Sequence, residues 1–141
     1  MPVQIVALYG PPGAGKSTLV RLAASRGIDA LDAEELGASY ETRRDELHRQ
    51  LSFRTSGLVI VGAADLRLED FPGGTQFVLL LPSREELEKR VIGRGDERKH
   101  KWIEHAFKVR DEHAAMRDQF DLVIESDLTP DTALNQIIGS L

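Results

Sequence analysis

Short apolar runs alternate with amphipathic stretches along the 141 residues of the chain. Five runs are nearly continuous in apolar residues and predict the strands of a buried parallel sheet, at 4–9, 28–31, 58–61, 77–81 and 122–124. Between them, apolar residues recur every three or four positions, which predicts helices over 16–26, 33–53 with a break near Gly37, 83–92, 99–119 and from 130 onward. This order predicts an α/β fold of three layers, with a five-stranded parallel sheet between two layers of helices.

Two of the predicted helices have a face that we expect to be buried. In the last helix that face carries Leu134, Ile137 and Ile138. In the long helix over 99–119, apolar residues at spacings of three and four predict a stripe against the core, made of Trp102, Ala106, Val109, His113, Met116 and Phe120.

The predicted elements take up nearly the whole chain, without an internal repeat or a linker, so we expect one domain over 1–141. The sequence has no cysteine, which excludes a disulfide scaffold and a cysteine nucleophile. No apolar run approaches the roughly 18 residues of a membrane span, and the N-terminus lacks the pattern of a signal peptide. We therefore expect a cytoplasmic protein with no membrane partner.

The formal net charge of −5 argues against a general nucleic-acid binder. Thirteen of the 18 basic residues are nevertheless arginine. Because the guanidinium fork matches phosphate and carboxylate oxygens in pairs, an acidic protein with this composition can still contain a cationic pocket. The alternative is that many of these arginines are solvated charges on helix surfaces.

A glycine-rich motif follows the first predicted strand directly and matches GxxxxGK[ST] at every fixed position. In such a motif the backbone N–H groups surround phosphate oxygens at the N-terminus of a helix, where the helix dipole adds positive potential. Lys16 is then expected to reach the β- and γ-phosphates, and the Ser17 hydroxyl to bind Mg²⁺. The predicted nucleotide-binding residues are Gly10, Pro11, Pro12, Gly13, Ala14, Gly15, Lys16, Ser17 and Thr18.

Other nucleotide-binding and catalytic patterns do not fit. The glycines follow a G-x-x-G-x-G order rather than the GxGxxG of dinucleotide sites, and Asn135 is the only asparagine, so no NKxD-type guanine motif exists. The sequence also contains neither HExxH nor GxSxG, which argues against a zinc protease and a serine hydrolase.

With the motif GPPGAGKST in this position, the chain resembles the small P-loop kinases, a group that includes nucleoside monophosphate kinases and shikimate-type kinases. Over most of its length the resemblance extends to LLLPSREELEKRVIGRGDE, to FDLVIESDLTPDTALNQII and to the acidic motif in ALDAEEL. It implies a P-loop NTPase fold of the nucleotide-kinase type, ATP as phosphoryl donor, and a mobile lid over 93–100.

Carboxylates follow two predicted strands at the edge where ligands bind in open α/β sheets. The second strand ends at Asp32, and Glu34 follows two residues later. The resemblance to shikimate-type kinases implies a metal-side role for Asp32 and an acceptor-side role for Glu34. The alternative is that both cap a helix N-terminus. The third strand ends at Gly62, where many P-loop NTPases have an aspartate, and Asp65 comes three residues later. We therefore favour Asp32 over Asp65 as the acidic metal partner beside Ser17.

Arginines near the predicted lid are candidates for stabilising charge on the transferred phosphoryl group. The resemblance implies this role for Arg94 in the lid and for Arg110 on the long helix, with Arg90 and Arg98 as weaker candidates.

We expect acceptor recognition over 33–57, the segment between the second and third strands. Arg43 and Arg44 lie there beside aromatic residues, a combination that suits the phosphate and base of a nucleoside monophosphate. A charged helix exterior explains them equally well, because acidic residues alternate with them.

These observations predict an ATP-dependent kinase of a small-molecule acceptor, with a nucleoside monophosphate as the first choice. Lys16, Arg94, Arg110, Asp32 and Glu34 are its predicted catalytic residues, and Ser17 and Asp32 its metal ligands. The alternatives are a kinase for a hydroxyl of a small metabolite, resembling shikimate or gluconate kinases, and a non-catalytic ATP-binding module. Either way we expect a monomer or a small homo-oligomer.

Overall fold

The computed structural model describes residues 3–11, 14–92, 99–125 and 129–141, without the side chains of 91, 92 and 99–102. The strands of its sheet are β1 Gln4–Tyr9, β2 Asp29–Asp32, β3 Leu58–Gly62, β4 Gln76–Leu80 and β5 Leu122–Ile124. The α-helices are α1 Lys16–Ser25, α2 Tyr40–Ser52, α3 Arg84–Ile92, α4 Lys99–Ala115 and α5 Pro130–Gly139. Short 3₁₀ turns cover Ala33–Glu35, Leu68–Asp70 and Arg117–Gln119.

The five strands form one sheet in the order β2-β3-β1-β4-β5, and all four pairings are parallel. Strands β2 and β3 therefore lie on one side of β1, and the chain then crosses to the other side, where β4 and β5 lie. Such a reversal opens a crevice at the carboxyl ends of the central strands. The register places Asp32 at the end of β2 opposite Gly62 at the end of β3.

Successive residues of the sheet face two separate apolar cores, as the alternation of side chains along a strand requires. On one face Val6 and Leu8 of β1 pack with Leu19 of α1 and Leu134 of α5. On the other face a second core of Ile5, Ala7 and Tyr9 packs with residues of α2, β3 and the following loop, including Leu47, Leu51, Val59, Val61, Leu66 and Phe71. The predicted three-layer α/β architecture with a five-stranded parallel sheet is thus confirmed.

The predicted break near Gly37 is confirmed, because a 3₁₀ turn over Ala33–Glu35 precedes α2 and the helix starts only at Tyr40. The Ser39 hydroxyl accepts a hydrogen bond from the Thr42 N–H and so caps α2. A Cβ on Gly37 would lie 2.5 Å from the Thr42 Cγ2 atom, so the turn packs tightly onto the first residues of the helix.

Two side chains predicted to face the core do not. Ile138 is 36% exposed, because Ala133, Leu134 and Ile137 already form the buried face of α5. Met116 is 38% exposed and lies just beyond the end of α4, so the helical spacing that placed it on the stripe no longer applies. Ala106, on the same stripe, is fully buried against α3.

Candidate active site

The loop that joins β1 to α1 begins at Gly10 and ends at Gly15, and the structure shows why each of these two positions is a glycine. A Cβ on Gly10 would lie 2.7 Å from the Leu80 carbonyl oxygen, so the end of β4 leaves no room for a side chain there. Gly15 has a φ of 99° and is the N-cap of α1, a conformation that L-residues rarely adopt. Of the nine predicted nucleotide-binding residues, Pro12 and Gly13 lie outside the described residues.

Lys16 is the first residue of α1, and its side chain folds back over the loop. Its Nζ donates hydrogen bonds to the carbonyl oxygens of Gly10 and Pro11, the second at 3.3 Å. The ammonium group therefore lies at the mouth of the loop, where the phosphates of a nucleotide are bound in P-loop proteins.

Ser17 and Asp32 are in direct contact. The Ser17 hydroxyl donates to the Asp32 carboxylate at 2.8 Å, and the other oxygen of that carboxylate accepts from the Glu34 N–H at 3.2 Å. A Cβ on Gly62 would lie 3.6 Å from the same carboxylate, at ordinary contact distance, and 3.2 Å from the Val20 Cγ2 atom, so the end of β3 packs closely against both residues. One hydroxyl and one carboxylate fit Mg²⁺, which binds through few protein oxygens and completes its shell with water and phosphate.

The described residues contain no group of three or more His, Cys, Asp or Glu side chains able to hold a metal ion by themselves. A metal at this site would therefore need oxygens from a bound nucleotide, as in phosphoryl-transfer enzymes.

Of the two candidate arginines that the structure describes, Arg90 contacts the loop directly. Its Nη1 donates to the Ala14 carbonyl oxygen at 3.0 Å, and its Nε donates to Glu86 at 3.3 Å. Arg110 instead donates from Nε to the Pro82 carbonyl oxygen at 2.8 Å, just after β4. Arg94 and Arg98, with the rest of the predicted lid up to residue 98, lie outside the described residues.

The two predicted acceptor-binding arginines have different surroundings. Arg43 donates two hydrogen bonds to the Asp65 carboxylate, at 2.9 and 2.6 Å, and a third to the Gly37 carbonyl oxygen at 3.0 Å. The hydrogen bonds from Arg43 lower the pKa of Asp65, and Asp65 in turn raises the pKa of Arg43. Arg44 pairs with its neighbour Asp45 and lies over the ring of Tyr40, away from the loop residues.

One cleft of about 840 Å³ brings most of these groups together. Lys16, Ser17, Glu34, Arg43 and Asp65 all line it, so the nucleotide loop and the predicted acceptor region open onto the same space. The remaining lining residues are Gly10, Ala14, Gly15, Thr18, Arg21, Ala64, His105, Val109 and His113. Asp32 is not one of the lining residues, but it accepts a hydrogen bond from Ser17, which is.

No family model matches the sequence, and no curated protein matches it. Solved structures do match in fold. Shikimate kinase from Acinetobacter baumannii is 22% identical, with a TM-score of 0.61 over 98% of this chain and 91% of that chain. A gluconokinase from Sinorhizobium meliloti 1021 is 16% identical, with a TM-score of 0.65 over 99% and 91%. The chain has the fold of the small P-loop kinases.

A third P-loop kinase structure, deoxyadenosine kinase from M. mycoides, is 15% identical with a TM-score of 0.63, over 96% of this chain and 97% of that chain. All three matches span nearly the full length of both chains. None of the helices in the described part of the chain has the length and hydropathy needed to cross a membrane.

Two residues near the cleft of this P-loop kinase fold were not predicted to be part of the site. His113 was predicted as a core residue, yet it lines the cleft, and burial together with the charge of Lys16 lowers its pKa. Tyr9 was predicted only as the end of a strand, and burial raises the pKa of its hydroxyl. The sequence offered one signal for each residue. His113 is a polar residue within an apolar stripe, and Tyr9 is a polar residue at the end of the strand before the loop.

Proposed function

We propose that the protein is an ATP-dependent kinase that transfers a phosphoryl group to a small molecule. The observation that carries the proposal is the single cleft that Lys16 and Ser17 share with Glu34, Arg43 and Asp65. Phosphoryl transfer depends on holding donor and acceptor in line in one water-poor space. The fold of known kinases supports the same activity.

The residues of the loop would bind and orient the donor. Backbone N–H groups of the loop and the N-terminus of α1 attract the phosphate oxygens, and Lys16 would exchange its carbonyl contacts for the β- and γ-phosphates. Ser17 and Asp32 would hold Mg²⁺, whose chemistry here is to neutralise phosphate charge. Arg90 holds the loop at Ala14, and we propose Arg94 and Arg110 as further cations near the transferred group.

The charged groups in the cleft bear on the class of acceptor. A nucleoside monophosphate, the first choice from sequence, requires cations for its phosphate, but both ends of the Arg43 fork are engaged by Asp65 and Arg44 lies outside the cleft lining. An acceptor hydroxyl instead needs a carboxylate that can take its proton. Glu34 and Asp65 both line the cleft, and Glu34 is the candidate because Arg43 already holds both oxygens of Asp65. The charge distribution therefore supports a hydroxyl as the acceptor group more than the phosphate of a nucleoside monophosphate.

Release of ADP tests the proposal with purified protein, Mg²⁺ and ATP against panels of nucleosides, nucleoside monophosphates, sugar acids and hydroxy acids. We expect transfer to a member of one panel and a loss of at least about 100-fold in Lys16→Ala, because a cation that stabilises the transition state is removed. Lys89→Ala is the matched control, since Lys89 is an exposed partner of Glu85 on α3. ATP binding without transfer to any acceptor would instead support a non-catalytic ATP-binding module.

A further inference from the structure

A second cavity of about 380 Å³ lies beside the nucleotide cleft, at the carboxyl ends of β1 and β3. Its walls are largely apolar and come from the end of β1, the loop after β3 and the region after α4. They include Tyr9, Leu66, Leu68, Met116 and Phe120. The volume falls within the range of small-molecule sites, which are lined by apolar side chains with a few placed polar groups.

Two polar atoms in this wall have no hydrogen-bond partner. Among the described residues, the buried side-chain polar atoms without a hydrogen-bond partner are the Tyr9 hydroxyl and the His113 Nδ1 atom. Tyr9 is 6% exposed, and a buried polar group left without a partner is costly, so each such group calls for an explanation. Both residues line the same cavity and both atoms are covered in the free protein, so one bound molecule could satisfy both by displacing the side chains that cover them.

The Tyr9 ring is held firmly in place. It meets the ring of Phe120 edge-on at 5.5 Å, and the rings of Phe71 and Phe77 each lie 6.3 Å from it. A hydroxyl on a ring packed this way is fixed in position, which suits recognition of a ligand atom rather than free rotation into solvent.

The cavity opens toward the nucleotide cleft. Ala64, Asp65 and His113 line both spaces, and Asp65 is one of the two carboxylates that line the nucleotide cleft. A molecule seated in the cavity would therefore extend toward the transferred phosphoryl group. The charged residues of the cavity wall, Asp65, Arg67 and Glu69, are exposed and already paired, with Arg43 and with each other.

We propose that this cavity binds the uncharged, flat heteroaromatic ring of the acceptor, as in a nucleoside, with the Tyr9 hydroxyl and His113 Nδ1 hydrogen-bonded to the edge of that ring. The inference rests on the proposed kinase function and names its acceptor class. Aromatic and aliphatic walls favour a flat ring, whereas a sugar acid carries hydroxyls at most carbons and would find few partners there. The lowered pKa of His113 keeps its imidazole uncharged near neutral pH, as an uncharged ring requires.

Calorimetric titration of the full chain tests this inference, with adenosine, guanosine, cytidine, thymidine and their 5′-monophosphates as probes. We expect at least one of these to bind, and Tyr9→Phe to weaken its affinity about three- to tenfold, the size of one hydrogen bond. Tyr9→Phe should also raise the Tm of the free protein, because it removes a buried hydroxyl that has no partner.

Tyr40→Phe is the matched control. The Tyr40 hydroxyl donates to the buried Asp70 at 2.6 Å and Tyr40 does not line the cavity, so this variant should lower the Tm and leave ligand affinity unchanged. The ring resonances of His113 should also shift when the ligand is added. The inference is overturned if none of the probes binds, or if Tyr9→Phe binds as tightly as the wild-type protein.

Failure of the proposed function would look different. Binding of a nucleoside that depends on Tyr9, but without phosphoryl transfer from ATP, would refute the kinase activity and support the ring site. Transfer to a sugar acid that depends on Lys16, without nucleoside binding, would refute the ring site and support the kinase.

Discussion

Asp32 and Asp65 follow neighbouring strands, but their partners assign them different tasks. Asp32 accepts a hydrogen bond from Ser17 at the start of α1, whereas Asp65 accepts two from Arg43. The first pairing places a carboxylate beside the proposed metal, and the second neutralises a cation in the acceptor part of the cleft. At the scale of single residues, hydrogen-bond partners thus separate two aspartates that sequence alone treats as alternatives.

We predict that Asp32→Asn lowers ATP-dependent transfer about 10- to 100-fold and raises the Mg²⁺ concentration needed for half-maximal rate, because the proposed metal loses its anionic protein partner. Asp65→Asn should leave the Mg²⁺ requirement unchanged and act on acceptor affinity instead. Initial rates of both variants across a series of Mg²⁺ concentrations would measure the loss of transfer and the Mg²⁺ requirement. An equal shift in Mg²⁺ requirement for the two variants would contradict the assignment.

The connection from β1 to α1 shows how an element depends on one backbone conformation. Gly15 caps α1 at a φ of 99°, and the next two residues supply the proposed phosphate and metal contacts. A change in that single dihedral angle would therefore move the start of the helix. At its other end α1 packs beside α5, where Arg26 forms an ion pair with Asp131.

Gly15→Ala should destabilise the protein by about 1–2 kcal/mol, because an L-residue in the left-handed region brings its Cβ close to a carbonyl oxygen. Gly73→Ala is the control, since a Cβ there meets no atom within 4 Å and its φ is not positive. Urea denaturation would compare the free energies of unfolding. If both variants lose the same stability, conformational strain at Gly15 is not the cause.

At the scale of the whole molecule, α4 places His113 in the same cleft as Lys16, which lies almost a hundred residues earlier in the chain. Burial is the first cause of the lowered pKa of His113, the positive charge of Lys16 adds to it, and Glu112 opposes it. In the unfolded chain the same imidazole titrates near its ordinary value of 6.5. The unfolded state therefore binds more protons than the folded state between the lowered pKa and 6.5.

Stability should consequently be complete above about pH 6.5 and fall as the pH drops toward the lowered pKa of His113. We predict that the Tm of the wild-type protein decreases between pH 7.5 and 5.5 and that His113→Gln decreases less over the same interval. Calorimetric Tm values of the two proteins at pH 7.5 and pH 5.5 would measure both decreases. Equal decreases in the two proteins would mean that His113 does not couple folding to proton binding.

The sequence by itself determined the sheet, the helices and the phosphate-binding loop. These depend on local signals, namely continuous apolar runs, helical spacing and glycines followed by Lys16 and Ser17, and such signals are readable along the chain. The position of Asp32 and Glu34 at the ligand-binding edge followed from the rule that ligands bind at the carboxyl ends of parallel strands. The order of the strands, β2-β3-β1-β4-β5, came from the structure.

Only the tertiary structure decided how the site residues are partnered. The contacts of Ser17 with Asp32 and of Arg43 with Asp65 join different elements, and the cavity beside Tyr9 and His113 is built from three separate segments. Side-chain pairing and enclosed space depend on which surfaces meet after packing. A linear pattern carries no record of that, so a tyrosine at the end of a strand gave no sign that its hydroxyl would be buried without a partner.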